Sequence, residues 1–298
     1  MNELSLLGMK YQEVLKNLPW QKETISLLLD GINVKNIFKV IFSVQPVAKF
    51  EVLYLQTRFH ELKEVSPCLI KIDSPASPYL QKFFAHLDDE WGYIVTSDRP
   101  WDEQVKHLRD LLVVLMPPNN QQVMLKIADP LVATELFKIA QETNNQLFGP
   151  FNHILTTDIL NQEFHHYQKL TKNIIPLTLP YTLTESENNA LDKVDIKRSQ
   201  QNLYQHMQTY FPDFLNHYPK KQRRLAINHI IEEAEQLGYN SPMTQAFYLN
   251  IYGYLGDNAL QDHPQITQLI KEQNIESLKL AAQRAQQISV QQASKGIA

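Results

Sequence analysis

The spacing of apolar positions changes halfway along this chain. In the first half, short β-branched and aromatic runs alternate with helix-period segments; in the second half only the helical spacing remains. Runs over 24–29, 51–55, 68–72 and 92–96 predict four strands. Leu4, Leu7, Tyr11, Val14, Leu15 and Leu18 predict an N-terminal amphipathic helix over 3–18, ended by Pro19. Asn33 is placed to cap a helix from Val34 to Ile41. Ser77-Pro78 is placed to start another, with Leu80, Phe83, Phe84 and Leu87 on its inner face. Thr96-Ser97-Asp98 reads as caps and a turn before a helix that aligns Trp101, Val105, Leu108 and Leu112, with Lys106 four residues from both Asp102 and Asp110 on its outer face. Apolar runs at 111–116 and 122–127 flank Pro117-Pro118-Asn119-Asn120 and predict a hairpin. Asp129-Pro130 starts a helix through Leu131, Leu136, Phe137 and Ile139, and Gly149-Pro150 breaks the chain.

From 161 to 183 the period is lost, and Pro176 and Pro180 sit among Ile, Leu and Thr; this stretch reads as an extended connection. Beyond it, Thr184-x-x-Glu187 has the capping-box pattern, opening a helix toward Tyr210. Ala226, Ile227, Ile230, Ile231, Ala234 and Leu237 line one helical face, with Gly238 at the C′ position. Further helices start at Ser241-Pro242, at Pro264 and after Asn274, the last running to about Val290, with 291–298 expected to fray. The fold class that follows is α/β: a mixed-sheet N-terminal lobe with flanking helices over 1–160, then the connection over 161–183, then an all-α C-terminal lobe over 184–298.

Composition narrows the function. The 298 residues suit two domains and bury enough surface to need no disulfide or metal staple. The single cysteine, Cys68, lies in the apolar run Pro67-Cys68-Leu69-Ile70 and reads as a buried small hydrophobe in a reducing compartment. A net charge of −4 gives no global attraction to nucleic acid or an anionic membrane. The start, Met1-Asn2-Glu3-Leu4, has no basic and long apolar leader pattern, so the chain is expected in the cytoplasm. With only 8 glycines it lacks the Gly-rich dinucleotide and P-loop signatures and the Gly-x-Ser-x-Gly nucleophile elbow. No cofactor is expected.

The remaining chemical candidates each have a plainer reading. His60-Glu61-Leu62-Lys63-Glu64 begins like a zinc-protease helix but has glutamate where the second imidazole belongs, and reads as a solvated turn. His165 and His166 are adjacent and point to different sides of any regular element. Asp88-Asp89-Glu90 reads as solvated acids of a polar turn. Lys220, Lys221, Arg223 and Arg224 form the only dense basic run; a solvated face or the rim of a contact with an acidic protein suits them better than phosphate binding. In Phe247-Tyr248-Leu249-Asn250-Ile251-Tyr252-Gly253-Tyr254, a helix with Phe247, Ile251 and Tyr254 inward puts Tyr248 and Tyr252 one turn apart on an adjacent face. Either they pack against the α/β half or they are exposed for a protein interface.

Four pieces occur in order: Leu28-Leu29-Asp30-Gly31, Trp91-Gly92-Tyr93-Ile94-Val95-Thr96-Ser97-Asp98, Leu125-Lys126-Ile127-Ala128-Asp129-Pro130 and Phe148-Gly149-Pro150. With His107-Leu108-Arg109 between the second and third, this set resembles the adaptor and effector-chaperone family of type VI secretion (Tap or TEC proteins), long known as a domain of unknown function. Leu183-Thr184-Glu185, Leu255-Gly256 and His263-Pro264 extend the resemblance through the helical half. The family's Phe-Arg-Phe-Tyr-Asp-Pro-Arg box departs here to Leu125-Lys126-Ile127-Ala128-Asp129-Pro130-Leu131, without both arginines and the tyrosine. Asp30, Gly31, Trp91, Gly92, Ser97, Asp98, Asp129 and Pro130 are therefore expected as family scaffold.

The resemblance implies a non-catalytic cytoplasmic adaptor that binds one secreted effector (a toxin) and helps load it onto the spike protein VgrG, with no nucleic-acid or membrane partner. Exposed Tyr248 and Tyr252, and the run Lys220, Lys221, Arg223 and Arg224, are the expected partner contacts. Two competing readings stay open: a hydrolase-type enzyme with Asp88, Asp89 or His60 in a cleft between lobes, and a weak nucleic-acid binder through Lys220 to Arg224.

Overall fold

The computed structural model describes residues 13, 16, 18–143, 146–158, 163–170, 175–219 and 222–296. Glu13 and Lys16 are helical, and the rest of the helix expected over 3–18 lies outside the described residues except Leu18, which is buried. The chain divides into two compact units, Met1–Val194 and Asp195–Ala298.

The first unit is built on a six-stranded sheet of β1 (Thr24–Leu29), β2 (Phe50–Val52), β3 (Cys68–Ile72), β4 (Gly92–Ser97), β7 (His153–Asp158) and β8 (Glu163–Gln168), in the order β2-β3-β1-β4-β7-β8. Every pairing in it is antiparallel, with Leu28 opposite Leu69 on one side and Tyr93 on the other. Side chains alternate between the faces along a strand. Leu28, Tyr93, Val95 and Ile154 face one core, with Val105, Leu108, Leu131 and Leu136. Leu27, Leu29, Ile70 and Ile94 face the other, with Ile37, Ile41, Leu80 and Phe83. The facing helices are α3 (Trp101–Asp110) and α4 (Pro130–Thr143) on the first side, and α1 (Ile37–Phe42) and α2 (Pro78–Ala85) on the second. Burial on both faces explains why the central strands read as continuous apolar runs rather than as half-buried alternations.

The expected hairpin forms from β5 (Val113–Met116) and β6 (Gln121–Met124), but in a separate three-stranded sheet. Its third strand, β9 (Tyr181–Thr182), pairs with β5 in parallel. The α/β class with mixed strand directions is thus borne out, with the parallel pair confined to the small sheet. Within the stretch 161–183 expected as a connection, β8 and β9 are strands. β8 pairs with β7 immediately before it, Asp158 opposite Glu163, a strand pair that the sequence did not predict; β9 pairs with β5, far away in the chain, where no local period can report it.

Local signals differ in three places. The strand expected over 51–55 ends at Val52, where the chain turns and the Leu55 amide donates to the Val52 carbonyl at 3.2 Å; the Val52 and Leu53 carbonyls also accept from Arg109 (3.3 and 3.1 Å). Asn33 does not cap; its amide donates to the Glu90 carbonyl at 3.0 Å, and α1 begins after Asn36. Ser77 precedes α2, with Pro78 in the first turn as expected, but its side chain makes no capping bond.

The second unit is helical. α5 (Glu185–Tyr210) enters it from the first unit, and α6 (Pro212–Asn216), α7 (Arg223–Gln236), α8 (Pro242–Leu255), α9 (Ala259–Asp262), α10 (Pro264–Ile270) and α11 (Ile275–Gly296) follow. The capping box at the start of α5 forms in both directions, with the Thr184 amide donating to Glu187 Oε2 at 2.8 Å and the Glu187 amide to Thr184 Oγ1 at 3.2 Å. At the end of α7 the Gly238 amide donates to the Glu235 carbonyl and the Tyr239 amide to that of Ala234, the paired bonds of a Schellman cap. Ser241 and Thr244 cap α8 reciprocally, and the Ser277 amide donates to Asn274 Oδ1 ahead of α11. That last helix continues into the stretch expected to fray, as far as Gly296; 297–298 lie outside the described residues. Its buried Leu278, Ala281, Ala282 and Ala285 pack with Tyr248, Leu249 and Ile251 of α8, and small alanines allow two helices to lie close.

Candidate functional site

The residues carrying the family pattern gather at two ends of the large sheet. At the first end, β1 finishes beside the start of β4. The Asp30 amide donates to the Trp91 carbonyl at 2.7 Å, and Asp30 Oδ1 accepts from the Ile32 amide at 2.8 Å. Gly31 backs onto the main chain of Val65 and Ser66. Gly92 has φ +148, and a Cβ there would lie 1.9 Å from the Leu28 carbonyl oxygen, so no larger residue fits between the strands. Trp91 is buried and stacks on His86 with ring centroids 4.0 Å apart. Asp129 Oδ1 accepts from the Leu131 and Val132 amides (2.9 and 3.4 Å), capping α4 with Pro130 in its first turn. Burial raises the Asp30 carboxyl above the usual carboxylate range; the Ile32 and Asn33 amides and Lys126 oppose that, and Asp129 adds to it. At the two positions where the family box carries arginines, this chain has Lys126, which is exposed, and Leu131, which is buried in the core.

At the opposite end, Ser97 Oγ donates to the Pro150 carbonyl at 2.6 Å and accepts from the Arg99 amide at 3.0 Å. Thr96 Oγ1 bonds the Glu23 carboxylate. These side chains therefore tie the turn to neighbouring strands and loops; neither caps α3, which Pro100 precedes. Asp98 is exposed. His107 is buried, its Nε2 lies 2.8 Å from the Leu147 carbonyl oxygen, and burial pushes its imidazole down to about 4. Gly149, at φ +48, lies flat against that ring: a Cβ would come within 2.2 Å of it. Arg109 spans from α3 to β2, bonding Glu51 Oε1 at 2.6 Å besides the two carbonyls. A cavity of about 640 Å³ opens beside this pair, lined among others by Asp102, Lys106 and Asp110.

The expected partner contacts are placed differently from the sequence reading. Tyr248 and Tyr252 are buried, 1% and 7% exposed, whereas Phe247 and Tyr254 are only half-buried. The inward face of α8 is thus turned by about one position, because Tyr248 and Ile251 meet the alanine stripe of α11. Lys220 and Lys221 lie outside the described residues. Arg223 folds onto its own unit, donating to the Tyr218 carbonyl (3.2 Å) and Asn216 Oδ1 (2.9 Å), and the Arg224 guanidinium lies 4.5 Å from the Tyr204 ring centroid.

Tyr248 and Tyr252 nevertheless line a cavity of about 590 Å³, together with Tyr218, His229, Glu233 and Asp257. Tyr252 donates to Glu233 Oε2 at 2.8 Å, Tyr218 donates to Asp257 Oδ1, and His229 Nε2 lies 3.4 Å from Glu233 Oε1. Burial, first of all, raises the pKa of each of these three tyrosines, that of Tyr248 to about 12, so they stay neutral donors near pH 7. The sequence reading singled out two of these tyrosines but missed the carboxylates. The His229-x-x-x-Glu233 spacing on α7 was the one visible signal, and the pairings of Tyr252 and Tyr218 with acids 19 and 39 residues away were not.

The catalytic candidates stay apart. His60 is exposed, and so are Asp88 and Asp89, the latter 2.7 Å from His86 Nδ1. His166 faces His153 across the β7–β8 pair at 3.0 Å, while His165 stacks with Tyr167, on the other side of the strand. Cys68 is buried, and desolvation pushes its thiol up to about 12. Among the described residues no group of three or more His, Cys, Asp or Glu is arranged to hold a metal ion, and no described helix is long and apolar enough to cross a membrane.

Residues 25–146 match the family described as Domain of unknown function (DUF4123). The chain is also 23% identical to a Vibrio cholerae serotype O1 protein named accessory protein VasW, over 253 residues that make up 84% of this chain and 82% of that protein. No solved structure matches. The two matches bear out the resemblance carried by the ordered motifs, and the second extends across both units.

Proposed function

We propose that this chain, on the premise of its DUF4123 domain and its likeness to the type VI secretion adaptor family, is a cytoplasmic adaptor that holds one secreted effector and helps load it onto the VgrG spike. The observation that carries this reading is the likeness to an accessory protein across both the α/β and the helical unit. The reading makes the chain a stoichiometric binder without covalent chemistry. The polar side chains of the family pattern support it: Asp129, Ser97, His107 and Arg109 are engaged with main-chain groups and hold the scaffold together. A specific complex would bury on the order of 1,600 Å².

The test is co-purification of the tagged full chain with the products of the effector-like and spike-like genes beside its own, together with effector delivery in a deletion strain. A stable complex with one neighbour, and delivery of that neighbour alone lost on deletion, is expected. If no neighbour binds and delivery survives deletion, the adaptor reading fails.

A further inference from the structure

We propose that the cleft of the helical unit receives an arginine side chain of a partner polypeptide, with Glu233 and Asp257 as its counter-charges and Tyr218, Tyr248 and Tyr252 as its aromatic walls. The inference deepens the adaptor reading and rests on it. Charge complementarity is the first argument. Among the described residues the lining holds two carboxylates and no lysine or arginine, with His229 Nε2 3.4 Å from Glu233 Oε1. The nearest described arginines of the basic run are engaged elsewhere, Arg223 on Tyr218 O and Asn216, and Arg224 over Tyr204. Neither of these two arginines therefore serves as the counter-charge of Glu233 or Asp257.

Pre-organisation is the second. A carboxylate has about four lone-pair positions; Tyr252 on Oε2 and His229 beside Oε1 fix Glu233, and Tyr218 fixes Asp257, while each carboxylate keeps acceptor capacity. Tyr248 and Tyr252, 1% and 7% exposed with centroids 5.6 Å apart at 48°, form a fixed aromatic floor, and the half-buried Tyr218 is the more accessible ring. A guanidinium uses both features at once: it stacks on aromatic faces and donates in a fork that matches a carboxylate. An ammonium ion is a hydrated point charge and uses them less well. The volume, about 590 Å³, admits a long side chain with part of its backbone, and the exposed His229, Gln236, Asp257 and Gln261 leave the mouth open to solvent.

The probe is acetyl-Gly-Arg-Gly-amide, titrated into the isotope-labelled full chain and followed by amide chemical shifts, beside its citrulline and lysine counterparts. Shifts confined to the cavity lining are expected with the arginine peptide, with a millimolar dissociation constant. The citrulline peptide, nearly isosteric and uncharged, should give none, and the lysine peptide should bind several-fold more weakly. Glu233→Gln combined with Asp257→Asn should weaken arginine binding about tenfold, since one lost charge-assisted bond already costs that order. Equal shifts with citrulline or with lysine, or unchanged affinity in the double variant, overturn the proposal. The adaptor reading is judged separately by co-purification. An effector held equally by wild type and double variant removes the arginine cleft and leaves the adaptor. Arginine-peptide binding with no captured neighbour does the reverse.

Discussion

The two units use their polar side chains in opposite ways. In the α/β unit, the residues that make the sequence recognisable point inward or sideways to the main chain: Asp129 caps α4, Ser97 bridges to Pro150, His107 meets the Leu147 carbonyl and Arg109 closes the edge of β2. In the helical unit, Glu233, Asp257 and the hydroxyls of Tyr218 and Tyr252 meet one another around an open cavity. The lesson is that a recognisable motif can mark where a fold is hardest to build. A surface for a partner can sit where the sequence carries no motif.

Substitutions should separate these two kinds of residue. The largest effect is expected from Gly92→Ala: the positive φ and the clash with the Leu28 carbonyl should cost about 3 kcal/mol or more, read as a lowered urea midpoint or loss of folded protein. A near-neutral result would remove Gly92 from the scaffold. Next comes the pH response of His107. Its folded pKa is depressed, to about 4 against 6.5, so the unfolded chain binds the proton more readily across that window. Its contribution is complete above about 6.5 and is lost as pH falls toward 4, on the order of 3 kcal/mol in all. Urea midpoints of wild type and His107→Gln, measured from pH 7.5 to 4.5 by the fluorescence of tryptophans that all lie in this unit, should show the steeper fall in wild type. Parallel curves would disprove the assignment.

Asp129→Ala should cost about 1 kcal/mol, the usual worth of a helix cap. Glu233→Gln should change stability by less than about 0.5 kcal/mol, because the carboxylate is half-exposed and glutamine still accepts from Tyr252. If it instead destabilised like Asp129→Ala, the cleft would be scaffold too, and the contrast between the units would collapse. Smallest of all, Lys106→Ala should cost only a few tenths of a kcal/mol through its exposed i,i+4 pair with Asp110.

Much of the scaffold was legible because its signals are local. Ser241-Pro242, Thr184-x-x-Glu187, Asp129-Pro130 and Gly238 each satisfied or closed a helix end as their residue types require. Asn33 and Ser77 failed as caps: the Glu90 carbonyl, 57 residues away, takes the Asn33 amide, and Ser77 makes no capping bond. Tyr248 and Tyr252 were expected exposed for a partner and are buried instead. The helical period of α8 is apolar nearly all round, so only the alanine face of α11 decides which positions go inward.

By itself the sequence determined the fold class, most helix starts, the inert burial of Cys68 and the family pattern, because turn chemistry and hydrophobic period act over a few residues. Only the tertiary structure decided the strand order, the separate sheet of the β5–β6 hairpin, the meeting of Gly149 with His107 and the cleft around Glu233. Each of these joins groups distant in the chain, and their contact depends on how packed faces fit together, a property that no local window of residues carries.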